Sequence, residues 1–274
     1  LKLDSHQHFW KFDPVRDAWI DSSMKPIQRD FMPDDLKPEL VKNGFDGCVA
    51  VQADQSEKET RFLLDLAKDY PWIKKVVGWV DLKADDIASK LEQYQSEKQM
   101  AGFRVILQSL EPEAMKDKGF LWGIGLLEKF GFTYDILIYP KHLSAAYNFA
   151  KKFPNQSFVV DHLAKPDIKS GEFESWSKGI SNLAKLPNVY CKVSGMITEA
   201  NWYHWKPSDF IPYLDFITRS FGTNRLMYGS DWPVCLLAGT YDQVYDLAAD
   251  YYNGFSPSEK AAIFGLNATR FYGV

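Results

Sequence analysis

Apolar and polar positions along the chain follow two periods in turn. Short runs rich in β-branched and aromatic residues recur at 2–8, 46–53, 75–81, 102–108, 133–139, 157–162, 189–194 and 226–229, and each reads as a strand. Between them, the stretches 57–69, 85–98, 121–130, 143–153, 172–186, 207–221 and 241–252 repeat apolar positions at helical spacing. Several of these stop at Pro or Gly before the next strand, as at Pro71, Gly131, Pro154, Pro187 and Gly222. Eight strand units in 274 residues predict an α/β chain folded as a single (β/α)8 TIM-type barrel, a fold that needs about 250 residues. No Gly, Ser or Pro-rich linker divides residues 1–274, so one domain is expected. An open doubly wound sheet is the alternative, but no GxGxxG or GxxxxGK[ST] follows the first strand.

Composition narrows the partners. Apolar residues at 46% and charged residues at 25% are ordinary for a globular protein, and a net charge of -4 offers no broad positive field to a nucleic acid. No apolar run approaches the roughly 18 residues of a membrane span, and the opening LKLDSHQHFW lacks a signal-peptide pattern. A cytoplasmic location and a small-molecule substrate are the expectations, with oligomeric state left open. Cys48, Cys191 and Cys235 lie in or beside apolar segments without metal-ligand spacing and read as reduced core thiols.

Barrels of this type collect reactive groups at the C-terminal ends of their strands. Alternation along the first strand puts His6 and His8 on one face and Gln7 on the other. A His-x-His pair is also common as plain core or surface, so its meaning depends on what joins it. Asp231, in YGSDWP, ends the eighth strand, which neighbours the first on closure. It can ligate a divalent ion with His6 and His8 or take a proton from attacking water, the competing reading being a turn cap. His162, in VVDHLAKP, is a candidate for the same cavity or else a satisfied core histidine, and Asp161 is expected to face the other way as a structural partner. Arg104 and Lys192 each interrupt an apolar strand, where a charge needs either an ion-pair partner or a ligand; Ser194 shares the face of Lys192. Lys165, Trp10, Trp202 and Trp232 are candidate substrate contacts, and Trp122, Tyr203 and Trp205 are further aromatics expected near the strand-end loops.

Together these stretches resemble a known group. DSHQHFW (4–10), RDAWI (16–20), GFRVILQSLEP (102–112), GFTYDILIYPKHL (131–143), VVDHLAKP (159–166), KVSGMITEANW (192–202) and YGSDWPVCLLAG (228–239) are similar, end to end, to the L-fucono-1,5-lactonase-like sugar lactonases of the amidohydrolase superfamily. The resemblance implies a polar centre of His6, His8, His162 and Asp231 and the opening of an aldonolactone ring by water. Superfamily members with two metals carry a lysine on the fourth strand and a histidine on the fifth, where this chain has Arg104 and Asp135. Related lactonases often show Arg-His on the fourth strand; here Val105 follows Arg104. The expected cofactor is therefore at most one divalent ion, zinc before others, held by His6, His8 and Asp231, with a metal-free centre the alternative. Decarboxylation by the same centre and a non-catalytic sugar-binding barrel are the rival functions.

Overall fold

The computed structural model describes residues 1–274. Eight parallel strands are hydrogen-bonded in chain order, β1 (Leu3–Gln7), β2 (Gly47–Val51), β3 (Ile73–Gly78), β4 (Met100–Val105), β5 (Thr133–Ile136), β6 (Phe158–Val160), β7 (Val189–Val193) and β8 (Leu226–Tyr228). Closure comes just past β8, where the Asp231 N–H donates to His6 O at 2.8 Å and the His8 N–H to Trp232 O at 2.7 Å. All eight predicted strands form, but most are shorter at their C-terminal ends. There the chain leaves the ladder to build the loops that wall the cavity.

The helices α1 (Pro33–Lys42), α2 (Glu57–Asp69), α3 (Ile87–Gln95), α4 (Lys118–Phe130), α5 (Leu143–Ala150), α6 (Glu174–Ala184), α7 (Pro207–Phe221), α8 (Tyr241–Tyr251), α9 (Pro257–Ala261) and α10 (Asn267–Tyr272) complete the chain. The sequence pattern does not single out α1, whose Pro33 and Pro38 interrupt the usual signal, nor the short α9 and α10. No helix is long and apolar enough to cross a membrane. Cys48, Cys191 and Cys235 are buried and unpaired, as expected.

Register decides what fills the barrel. Gly102, Thr133 and then Arg104, Asp135 and Val159 lie side by side across β4, β5 and β6, and Lys192 pairs with Met227 across β7 and β8. In β1 the pairing advances from Asp4 to Gln7 while β2 advances only from Cys48 to Ala50, so one extra residue is absorbed as a bulge. Leu3 thereby joins Val49 inside, and His6 and His8 still face inward above it. The lowest interior layer is apolar, built from Leu3, Val49, Val51, Val77, Ala101, Val159 and Met227 and closed from below by Phe271 and Tyr272 of α10. A much larger apolar layer packs between the strands and the outer helices.

Glu59, in the first turn of α2, ties that helix to the cavity wall by accepting the Ala53 N–H at 3.2 Å. Burial raises its carboxyl from 4.5 to about 7. The folded state therefore holds the Glu59 proton to higher pH than the unfolded chain does, and ionisation imposes a stability penalty, absent below pH 4.5 and fully present above pH 7. Glu59→Gln is expected to match the wild type in thermal melts at pH 4.5 and to exceed it at pH 8 by about 1–3 kcal/mol.

Candidate active site

Directly above the apolar floor lies a layer of buried charge. The Lys192 ammonium is fully buried, 2.6 Å from Asp135 Oδ2 and 3.0 Å from Asp161 Oδ1. Arg104 meets the other oxygen of Asp161 at 2.9 Å and also donates to the Gln52 carbonyl. The Tyr272 hydroxyl, reaching up from α10, donates to Asp135 Oδ2 at 2.9 Å. Burial alone would raise Asp161, yet Lys192, His6 and Arg104 outweigh it and hold this carboxyl well below its ordinary range. Asp135, which burial pushes up to about 6, is pulled the other way chiefly by Lys192. The ion-pair reading of Arg104 and Lys192 is thus realised for both; only Arg104 also lines the cavity.

This layer supports the groups above it. Lys192 Nζ lies 3.0 Å from His6 Nδ1, and the other ring nitrogen of His6 is 3.2 Å from His8 Nε2. His8 Nδ1 sits 2.7 Å from the Val51 carbonyl; a carbonyl carries no proton, so Nδ1 donates, and in the neutral ring Nε2 is the bare nitrogen. Asp231 Oδ1 completes the cluster, 3.5 Å from His8 Nε2 and 3.8 Å from the Nε2 atoms of both His6 and His162. Burial opposes ionisation of Asp231, but His162, His8 and His6 hold it well below the ordinary carboxylate value. Its carboxylate caps no turn; the backbone alone, through the Asp231 carbonyl, receives the Cys235 N–H.

His162 arrives by a different route from the one strand alternation implies. Val159 faces inward and Val160 outward, so Asp161 faces inward as well, contrary to the expectation that it points away. Beyond it, His162, Leu163, Ala164 and Lys165 all take left-handed φ values of 50 to 59°. That turn swings His162 back over the barrel, where its Nδ1 lies 2.8 Å from Ser194 Oγ. Burial lowers the His162 imidazole to about 4, so it is neutral at pH 7.

Above this centre opens a cavity of about 320 Å³, lined by His8, His162 and Asp231 below and by Trp10, Trp19, Gln55, Arg104, Gln108 and Lys165 around the wall. Trp10 and Lys165, two of the candidate substrate contacts, thus line the cavity. Trp202 and Trp232 do not line it: Trp202 hydrogen-bonds the Thr198 carbonyl at 2.8 Å, and Trp232 is buried against Phe9 and Phe31. Trp122 lies on α4 with 66% of its surface exposed, outside the strand-end loops. Lys165 Nζ is 3.6 Å from Glu199, whose carboxyl burial raises. Gln108, at the end of the predicted fourth strand, is where a strand-end polar group is expected, whereas nothing in the periodicity marks Trp19 or Gln55. The RDAWI and GFRVILQSLEP stretches contain two of them, but period alone does not say which loop residues turn inward.

The family model for amidohydrolases matches residues 3–274. The chain belongs to the amidohydrolase family. This amidohydrolase is 37% identical over 279 residues to the L-fucono-1,5-lactonase of Burkholderia ambifaria, the match covering 99% of this chain and 95% of that one. Among solved structures, a Burkholderia multivorans amidohydrolase with bound zinc superposes with a TM-score of 0.96 at 36% identity, over 100% of this chain and 99% of the other. A 2,6-dihydroxybenzoate decarboxylase at 13% identity and a TM-score of 0.68 shares the fold.

The donor set suits a divalent ion. His6, His8 and Asp231 offer ligand atoms within 4.8 Å of one another. The His8 Nδ1–H on Val51 O is the kind of outer hydrogen bond that orients a metal-binding imidazole, and for His6 the corresponding acceptor is Asp161 Oδ1 at 3.4 Å from Nδ1. A second grouping, His6, Asp161 and His162, is close enough in distance, but Asp161 already carries both Lys192 and Arg104.

Removing Lys192 leaves two buried carboxylates facing each other. Lys192→Met is expected to lower stability by about 3–5 kcal/mol in urea denaturation, the cost typical of breaking a buried pair from one side. A loss below about 1 kcal/mol would mean that the layer is not coupled in this way.

Proposed function

We propose that the chain opens the ring of an aldono-1,5-lactone of the L-fucono-1,5-lactone type by attack of water on the ester carbonyl. The observation that carries this reading is an ionised carboxylate, Asp231, ringed by three imidazole nitrogens at 3.5–3.8 Å on the floor of an aromatic-walled cavity. The lactonase name of the Burkholderia ambifaria relative supports the substrate class.

Asp231 takes a proton from water as the water oxygen bonds to the carbonyl carbon. The tetrahedral oxyanion forms beside hydrogen-bond donors already in place, which is where such a site lowers the barrier most. The bond from carbon to ring oxygen then breaks, and the proton on Asp231 passes to that oxygen, giving the open hydroxy acid. Trp10 and Trp19 offer ring faces for the apolar side of a sugar, while Gln55, Gln108, Arg104 and Lys165 supply polar contacts for its hydroxyls. His6, His8 and Asp231 would hold a single zinc ion, which supplies Lewis-acid polarisation and a more acidic water when bound. Decarboxylation, the rival reading, has only the shared fold behind it, and an intact Asp231 centre argues against a purely binding role.

A pH-indicator screen of aldonolactones tests the substrate class. Asp231→Asn is expected to reduce turnover of the accepted lactone about 100- to 10,000-fold, and wild-type rates in that variant would remove the mechanism. Zinc titration by calorimetry should show one equivalent per chain, lost in His8→Ala; a second equivalent of similar affinity would contradict the single site.

A further inference from the structure

The three histidines of the centre differ in what they can still offer a ligand, and the difference follows from where their ring protons lie. His8 donates from Nδ1 to the Val51 carbonyl, 2.7 Å away, so its Nε2 is a bare acceptor. His6 Nδ1 faces the Lys192 ammonium at 3.0 Å and Asp161 Oδ1 at 3.4 Å, and its Nε2 lies 3.2 Å from His8 Nε2. Each nitrogen of these two rings therefore has a protein group beside it.

His162 is left, and its partner is Ser194. That serine is 1% exposed, and its hydroxyl makes a single hydrogen bond, to His162 Nδ1 at 2.8 Å. If the hydroxyl accepted there, its own proton would lie buried with no acceptor, an arrangement that costs about 1–3 kcal/mol. Donation from Ser194 avoids this and puts the His162 proton on Nε2. The neighbouring backbone is shaped for the ring: Gly195 has φ of 60°, and a Cβ there would lie 2.5 Å from His162 Nδ1. His162 Nε2, for its part, finds no protein acceptor. Asp231 Oδ1 at 3.8 Å is past hydrogen-bond reach, and the ring lines the cavity.

We propose that Ser194 is a positioning residue that locks His162 as the Nε2–H tautomer, making it the unengaged donor aimed at the lactone carbonyl and leaving proton removal from water to Asp231. The inference rests on the lactonase reading for the identity of the acceptor, but not for the tautomer.

The test uses the full chain with ¹⁵N-labelled histidine. In the wild type, the His162 ring, assigned by its absence in His162→Gln, should show a protonated Nε2 and an unprotonated Nδ1 by NMR. In Ser194→Ala that preference should be lost, and kcat on the accepted lactone should fall about tenfold or more with KM changed less than threefold. Ser194→Thr and Ser194→Val have the same shape but only the first keeps a hydroxyl. Threonine should restore the tautomer and most of kcat, and valine neither. A proton found on Nδ1 in the wild type, or equal kcat in the threonine and valine variants, would overturn the proposal. Should the wild type open no lactone while the tautomer behaves as described, the substrate reading fails and the role of Ser194 stands.

Discussion

The Lys192 ammonium reaches Asp135, Asp161 and His6 together, at 2.6, 3.0 and 3.0 Å. Without it the barrel interior would hold two carboxylates in a medium that screens their repulsion poorly. With it, Asp161 stays ionised and free to hold Arg104, and His6 is turned so that its far nitrogen meets His8. The geometry of the centre is thus transmitted upward from a layer of which Arg104 alone also lines the cavity.

The interior divides by depth. An apolar floor gives way to fully paired charge, and only above that do polar groups remain open to a cavity. Each layer depends on strand register, which sets Arg104 beside Asp135 across β4 and β5 and Asp135 beside Val159 across β5 and β6. The bulge in β1 serves the same end, returning His6 and His8 to the inside after Leu3 has taken its place on the floor. Tyr272 links the last helix to the charged layer, so the closing of the barrel's lower end and the pairing of Asp135 are a single event in packing terms.

Much of this was legible in the amino-acid order. Strand and helix periods separate cleanly here, and they placed eight strands and hence the ends where His6, His8, Arg104 and Asp231 sit. Period-2 alternation served for His6, Gln7 and His8, although a bulge lay among them. It holds from Val159 to Asp161 but fails at His162, where the chain turns left-handed, so an inward His162 wrongly implied an outward Asp161. Lys192 and Asp135 could be recognised as charges needing partners but not as each other's, since they are brought together across three strands. Aromatic residues were the least legible: an indole near a strand end packs equally well into the wall, as Trp232 does, or onto the cavity, as Trp10 does. The centre's resemblance to a known family carried the substrate class, which no spacing of residues in this chain encodes.

The turn from His162 to Lys165 concentrates a cost that among residues with a Cβ is otherwise met only at Asp231. Left-handed backbone at residues bearing a Cβ is unfavourable by about 1–2 kcal/mol apiece, and here it runs through four in succession. Neighbouring packing holds it in place: Leu163 and Ala164 are fully buried, and the Trp176 indole donates to the Leu163 carbonyl at 2.7 Å. Selection for thermostability alone would rewrite such a turn with glycine. The gain would come with a looser imidazole over the cavity, so at this turn the protein gives up robustness in exchange for aim.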